Sequence, residues 1–138
     1  MKAIDIIKQF EGLRLKPYLC PAGLLTIGYG HVIKSNEHFT EISEVYANQL
    51  LEIDINLAIN KVKKLIYQPL NDNQLASITS FTFNLGAGAL QRSTLRQKIN
   101  RGEHELVETE LMKWVYSKGR KLPGLVKRRQ IEGVIYNI

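Results

Sequence analysis

An α+β fold is predicted for this 138-residue chain, on three observations. Apolar residues at helical spacing form a stripe through residues 47–65, and several further segments carry helix caps. One short glycine-rich run, residues 24–30, has instead the pattern of an extended strand. The architecture expected is mostly helical, with a small β-hairpin lobe and a long helix joining it to a larger helical lobe.

The first element is a short helix. Residues 3–11 read AIDIIKQFE, with Ile4, Ile7 and Phe10 on one face, and Gly12 stands where a left-handed C-terminal cap is expected. Glu11 therefore falls in the last turn, where the negative end of the helix dipole disfavours a second negative charge. Such a place suits a carboxyl that gives up a proton on demand. An ordinary solvated helix end reads the same way from Glu11 alone.

After Lys16 the pattern becomes extended. Cys20-Pro-Ala-Gly23 has Pro at the second turn position and Gly at the fourth, a type I signature. The following LLTIGYG is a strand whose glycines let backbones approach closely. This hairpin is expected to lift Cys20 and Thr26 opposite the end of the first helix. Eight residues separate Glu11 from Cys20 and five separate Cys20 from Thr26, so a carboxyl, a thiol and a hydroxyl follow one another along one segment.

The rest reads as helices. Ser43 is placed to cap a helix whose stripe is Ala47, Leu50, Leu51, Ile55, Ala58, Val62 and Leu65. Asn71 with Gln74 forms a capping box ahead of LASITSFTFNLG, apolar enough to be the buried centre of the larger lobe, and Gly86 or Gly88 ends it. Ser93 caps a short helix through Asn100. A further helix holding Leu106, Leu111, Trp114 and Val115 is expected to run to Lys118 and Gly119. Pro123 then starts a last helix with Leu125, Ile131, Val134 and Ile135 inward.

Composition bounds the function. At this length one domain, residues 1–138, buries roughly 65 to 70% of its unfolded surface without staples. The single Cys excludes an internal disulfide, and it shares no metal-ligand spacing with the three His. The N-terminal MKAIDIIKQF is too polar and too short for a signal peptide or a membrane span. The net charge of +6 is uneven: residues 1–91 hold eight Lys plus Arg and eight Asp plus Glu, whereas residues 92–138 hold eleven and five. A basic face of this kind attracts polyanions at long range.

The spacing from Glu11 through Cys20 to Thr26, the TIGYGH run and the later FNLGAG, STLRQKIN, KWVYSKG and LPGLVKRR together resemble the phage-type lysozymes, most nearly the endolysin branch of lambdoid-type phages. The resemblance spans residues 4–132. It implies a muramidase hydrolysing the β-1,4 bond between N-acetylmuramic acid and N-acetylglucosamine, for host lysis and without a cofactor. It also implies inverting chemistry, with Glu11, Cys20 and Thr26 at the family's three catalytic positions. Glu11 is then the general acid, and Thr26 holds the attacking water through a hydroxyl that both donates and accepts. An enzyme of this form stays in the host cytoplasm before lysis and acts in the periplasm.

Cys20 departs from the many relatives with Asp at this position. It is a thiolate that stabilises positive charge, a thiol that orients water, or a nucleophile; water positioning ranks first, because no base in the segment is placed to ionise it. Asp54 lies four residues from both Leu50 and Ala58, on the apolar stripe, and a partly buried carboxylate needs a partner. His31, closing the hairpin, is the expected one, as a structural pair. Trp114 is expected to pack in the core, and Lys127, Arg128 and Arg129 to be exposed.

Other functions stay in view. The stretch 113–138 carries seven Lys plus Arg against one Glu, which suits lipopolysaccharide or the outer membrane and a basic amphipathic, membrane-disrupting or wall-binding role. Lytic transglycosylation is the nearer alternative, against which the water-holding Thr26 argues. Nucleic-acid binding lacks any recognition motif, and a monomer is expected.

Overall fold

The computed structural model describes residues 2–138, so Met1, the first residue of the expected domain, lies outside the described residues. Helix α1 (Ala3–Phe10) leads into an antiparallel sheet of β1 (Arg14–Leu19), β2 (Leu25–Gly28) and β3 (His31–Val32) in that order. Helix α2 (Glu44–Leu65) leaves the sheet for α3 (Asp72–Leu85), α4 (Ala87–Arg92) and α5 (Thr94–Asn100). A 3-10 turn (His104–Leu106), α6 (Val107–Leu111), a hairpin of β4 (Tyr116–Ser117) and β5 (Arg120–Lys121), and α7 (Pro123–Tyr136) complete the chain. This is the α+β arrangement expected.

Local caps set most boundaries. Ser43 Oγ accepts from the Tyr46 amide at 3.1 Å at the start of α2. Asn71 and Gln74 exchange hydrogen bonds of 2.8 and 2.9 Å at the start of α3, and Ser93 accepts from Arg96 at α5. Each satisfies an amide that the first turn leaves unpaired. Gly86, at φ 91°, stops α3.

Three expectations are corrected. Gly12 is not a left-handed cap; Glu11 itself ends α1 in extended backbone, which carries the chain straight into β1. The helix expected through Lys118 stops at Leu111, and residues 116–121 form a hairpin instead. Its two-residue turn, Lys118 at φ 51° and Gly119 at φ 78°, has the paired positive angles that match the twist of a tight hairpin. Val134 is 60% exposed on the outer side of α7, because α7 is held by polar residues as much as by apolar ones.

Helix α3 is the axis of the larger lobe. Every residue from 76 to 82 is buried, with α1, α2, α4 and α7 packed around it. One apolar cluster fills that lobe through Phe81, Leu90, Leu95, Ile99 and Leu111. A second, with Ile6, Ile7, Leu51, Ile55 and Ile135, ties α1 to α2, α3 and α7; a third, with Ile27, Ile42, Ala47 and Leu50, seats the sheet on α2. Trp114 packs edge-on against Phe81, ring centroids 5.5 Å apart.

Candidate active site

Glu11 emerges from α1 between two supports. Its Oε1 lies 3.2 Å from Nη1 of Arg128, and a Cβ built on Gly30 would stand 3.0 Å from its Oε2. Gly30, at φ 79°, is thus required twice, for its backbone angle and for the space the carboxyl occupies.

Arg128 is 3% exposed, which overturns the expectation of a solvated basic run: among Lys127, Arg128 and Arg129, the two arginines are buried. The reason is a polar network inside the larger lobe. Glu132, fully buried, accepts from Ser80 Oγ at 2.6 Å and from Arg129 Nη2 at 3.1 Å, and its Oε1 sits 2.7 Å from Arg129 Nε. Arg129 also donates to Asn84 Oδ1 at 2.8 Å, and Arg128 donates to the Ser80 carbonyl at 3.3 Å. Ser77 Oγ donates to the Glu132 main chain at 2.7 Å. Burial pushes the Glu132 carboxyl up and Arg129 down, outweighing the mutual attraction of the pair. The charged string from Glu132 through Arg128 ends on Glu11.

The hairpin brings the other two residues together. Gly23 N–H donates to Cys20 O at 2.8 Å, closing the expected turn, and Cys20 N–H donates to Leu24 O at 3.0 Å. The half-buried Cys20 thiol is lowered from its ordinary value by a backbone hydrogen bond from Leu24, helped by Ala22, Gly23 and the Thr26 side chain against some desolvation. Thr26 is 2% exposed, and its Oγ1 donates to Leu24 O at 2.8 Å. Tyr18, paired with Thr26 across β1 and β2, links the two halves electrostatically. Its phenol is raised first by burial and then by the charges of Glu11 and Cys20, against Arg14.

His31 Nδ1 lies 2.7 Å from Asp54 Oδ2, and its Nε2 lies 2.9 Å from Glu37 Oε1. Sequence reasoning missed Glu37, which returns from the loop beyond β3. Burial draws the His31 pKa down, but two carboxylate hydrogen bonds outweigh it and the net shift is upward. Glu37 is lowered, mainly by the Lys34 amide that donates to it at 2.8 Å.

A cavity of about 280 Å³ opens beside Gly30, lined by Val32, Leu57 and Phe83 with Lys34, Lys61 and Asp54 among its polar groups. Gly30 borders both this cavity and the Glu11 carboxyl, while Glu11, Cys20 and Thr26 are not among the residues that line the cavity. A larger cavity, about 800 Å³ between α1, α2 and α3, contains none of the candidate residues. No group of three or more His, Cys, Asp or Glu among the described residues is placed to hold a metal.

Known proteins are similar to this chain in sequence and fold. Residues 8–132 match the phage lysozyme family. An endolysin of Acyrthosiphon pisum secondary endosymbiont phage 1 is 40% identical, over 98% of this chain and 94% of that protein. An endolysin of Bacillus phage B103 is 38% identical over 96% of this chain, which spans about half, 51%, of that relative. Among solved structures, the muramidase domain of SpmX from Asticaccaulis excentricus superposes with a TM-score of 0.88 at 29% identity, covering 99% of this chain and 95% of that one. An endolysin from Escherichia coli O157:H7 phage FAHEc1 gives 0.84 at 34% identity, over 97% and 89%.

Proposed function

The chain belongs to the phage lysozyme family, and on that premise we propose that Glu11, Cys20 and Thr26 are the groups with which it cleaves its substrate. It is a glycoside hydrolase, a lysozyme that hydrolyses bacterial peptidoglycan in host lysis. The bond cut is the β-1,4 link between N-acetylmuramic acid and N-acetylglucosamine, and the chemistry is inverting.

One observation carries the assignment of Glu11: its carboxyl is held between the buried Arg128 guanidinium and Gly30. Clamping fixes the direction in which a proton leaves, as general acid catalysis requires. Thr26 then holds the water. Its hydroxyl proton is directed at Leu24 O, with the Cys20 thiol as the competing acceptor, and its lone pairs accept a hydrogen from water, which turns the water oxygen outward. Cys20, in contact with Thr26, bounds the same water. An inverting enzyme needs room for that molecule between acid and attacking side. His31, Asp54 and Glu37 hold β3 on α2 and touch no reacting atom. Arg128 is a positioning residue.

We read residues 1–138 as one catalytic domain acting as a monomer, held in the host cytoplasm before lysis and reaching its substrate in the periplasm. Among the described residues no helix is long and apolar enough to cross a membrane. The basic excess of residues 92–138 suits an anionic envelope surface such as lipopolysaccharide or the outer membrane.

Mass spectrometry of digested peptidoglycan tests the reaction. The wild-type protein should yield reducing muramic ends, and Glu11→Gln should leave the glycan intact while keeping the fold. Anhydro-muramic ends would mean transglycosylation, and a Glu11→Gln protein with a tenth of the wild-type rate would remove Glu11 as the acid.

A further inference from the structure

The basic stretch 113–138 sorts into three groups once folded. Of its seven cations, Arg128 and Arg129 are buried in the α7 network, and Lys113 pairs with Glu110 at 2.7 Å. The remaining four, Lys118, Arg120, Lys121 and Lys127, form no ion pair among the described residues, and all are exposed. They are contiguous: three lie on the β4–β5 hairpin and the fourth on the second turn of α7, which carries no acid in its first turn. The one acidic residue of the stretch, Glu132, is spent inside the fold.

Apolar groups lie among these charges. Tyr116 is 60% and Leu122 39% exposed, and a shallow groove of about 520 Å³ is lined by Pro123 and Val126 together with Lys121, Lys127 and Gln130. Lys118 is the only non-glycine residue at positive φ among the described residues, a turn position where Asn or Gly relieves strain. A lysine there costs stability and puts an ammonium at the outermost point of the hairpin.

We propose that the β4–β5 hairpin and the outer face of α7 dock on an anionic phospholipid bilayer. Cations attract the headgroups, and Tyr116 and Leu122 enter the interface between headgroup and acyl chain. The groove residues at 123, 126, 127 and 130 lie on one side of α7, whereas Arg128, Arg129 and Glu132 face inward toward Glu11 and α3. The groove on α7 therefore faces away from the contact between Arg128 and Glu11.

Vesicle co-sedimentation tests this. The full chain should bind vesicles of phosphatidylethanolamine and phosphatidylglycerol, lose them as salt rises, and ignore pure phosphatidylcholine. At about 1 kcal/mol per surface cation, or about 5-fold in partition, the variant K118Q/R120Q/K121Q/K127Q should bind at least about 100-fold more weakly. Its thermal midpoint and its rate on soluble glycan fragments should match the wild type, which keeps this result apart from a failure of the muramidase assignment. Tyr116→Ser should weaken binding several-fold at a salt concentration that screens the charges. Equal binding to phosphatidylcholine would overturn the proposal, as would wild-type binding by the fourfold variant. So would absence of vesicle binding by the wild type, with the variant instead losing affinity for purified sacculi.

Discussion

The hairpin lobe and α7 bury charge in opposite ways. In the lobe, His31 is held between Asp54 and Glu37, whose side chains keep 20% and 23% of their exposure; in α7, Arg129 and Glu132 are both fully buried. A group near water can exchange its proton as pH changes, so the lobe should answer to pH. The α7 network pays desolvation on every member and tolerates no change of charge. The first is a titratable fastening, the second a fixed frame that reaches Glu11 through Arg128.

The largest effect should come from breaking the frame. Glu132→Gln keeps the volume but leaves Arg129 without a counter-charge, and should cost about 3 to 5 kcal/mol of unfolding free energy. Denaturant titration checks it. A loss below about 1 kcal/mol would mean that the network is hydrated and not a frame.

The fastening in the lobe should matter less and depend on pH. Because the His31 pKa is raised, its contribution is fully present below about 6.5 and is lost as pH rises through the folded value. Because the Glu37 pKa is lowered, its contribution is present above about 4.5 and is lost as pH falls through the folded value. Stability from this cluster therefore peaks between those limits. His31→Asn should remove about 1 to 2 kcal/mol there, and less at pH 9, where the neutral ring keeps one hydrogen bond and its packing but loses its charge. NMR titration giving His31 an ordinary pKa would dissolve the contrast with α7.

The same contrast marks what was legible in the sequence. Caps at Ser43, Asn71 and Ser93 were readable because the partner is three residues away. His31 and Asp54 were readable as a pair from the helical stripe, but Glu37 was not, since nothing local ties that loop to the histidine. Arg128 and Arg129 looked like a solvated run; what buries them lies in α3, 45 to 48 residues back, at Asn84 and Ser80. The hint was Glu132 three and four residues downstream, beside a core helix unusually rich in Ser and Thr. The β4–β5 hairpin was masked because Leu106, Leu111, Trp114 and Val115 happen to fit a helical period, and because its turn needs a lysine at positive φ.

Smaller effects separate the members of the site. Thr26→Ala should lower kcat about 10-fold with little change in KM, because the water proposed to sit there matters in the transition state more than in binding. A raised KM at constant kcat would assign Thr26 to substrate binding instead. Cys20→Ser should change kcat least, and Cys20→Asp should be tolerated, if the thiol bounds the water by shape and hydrogen bonding. A nearly inactive Cys20→Ser protein, with wild-type activity rising through the thiol pKa, would make the thiolate the working species.

The most direct measurement is the anomeric configuration of the first reducing sugar released, followed by proton NMR before mutarotation. Attack by a water held at Thr26, on the face opposite Glu11, predicts the α anomer from the β-linked glycan. A first-formed β anomer, above all with a trapped glycosyl adduct on Cys20, would contradict the account and make the thiol a nucleophile.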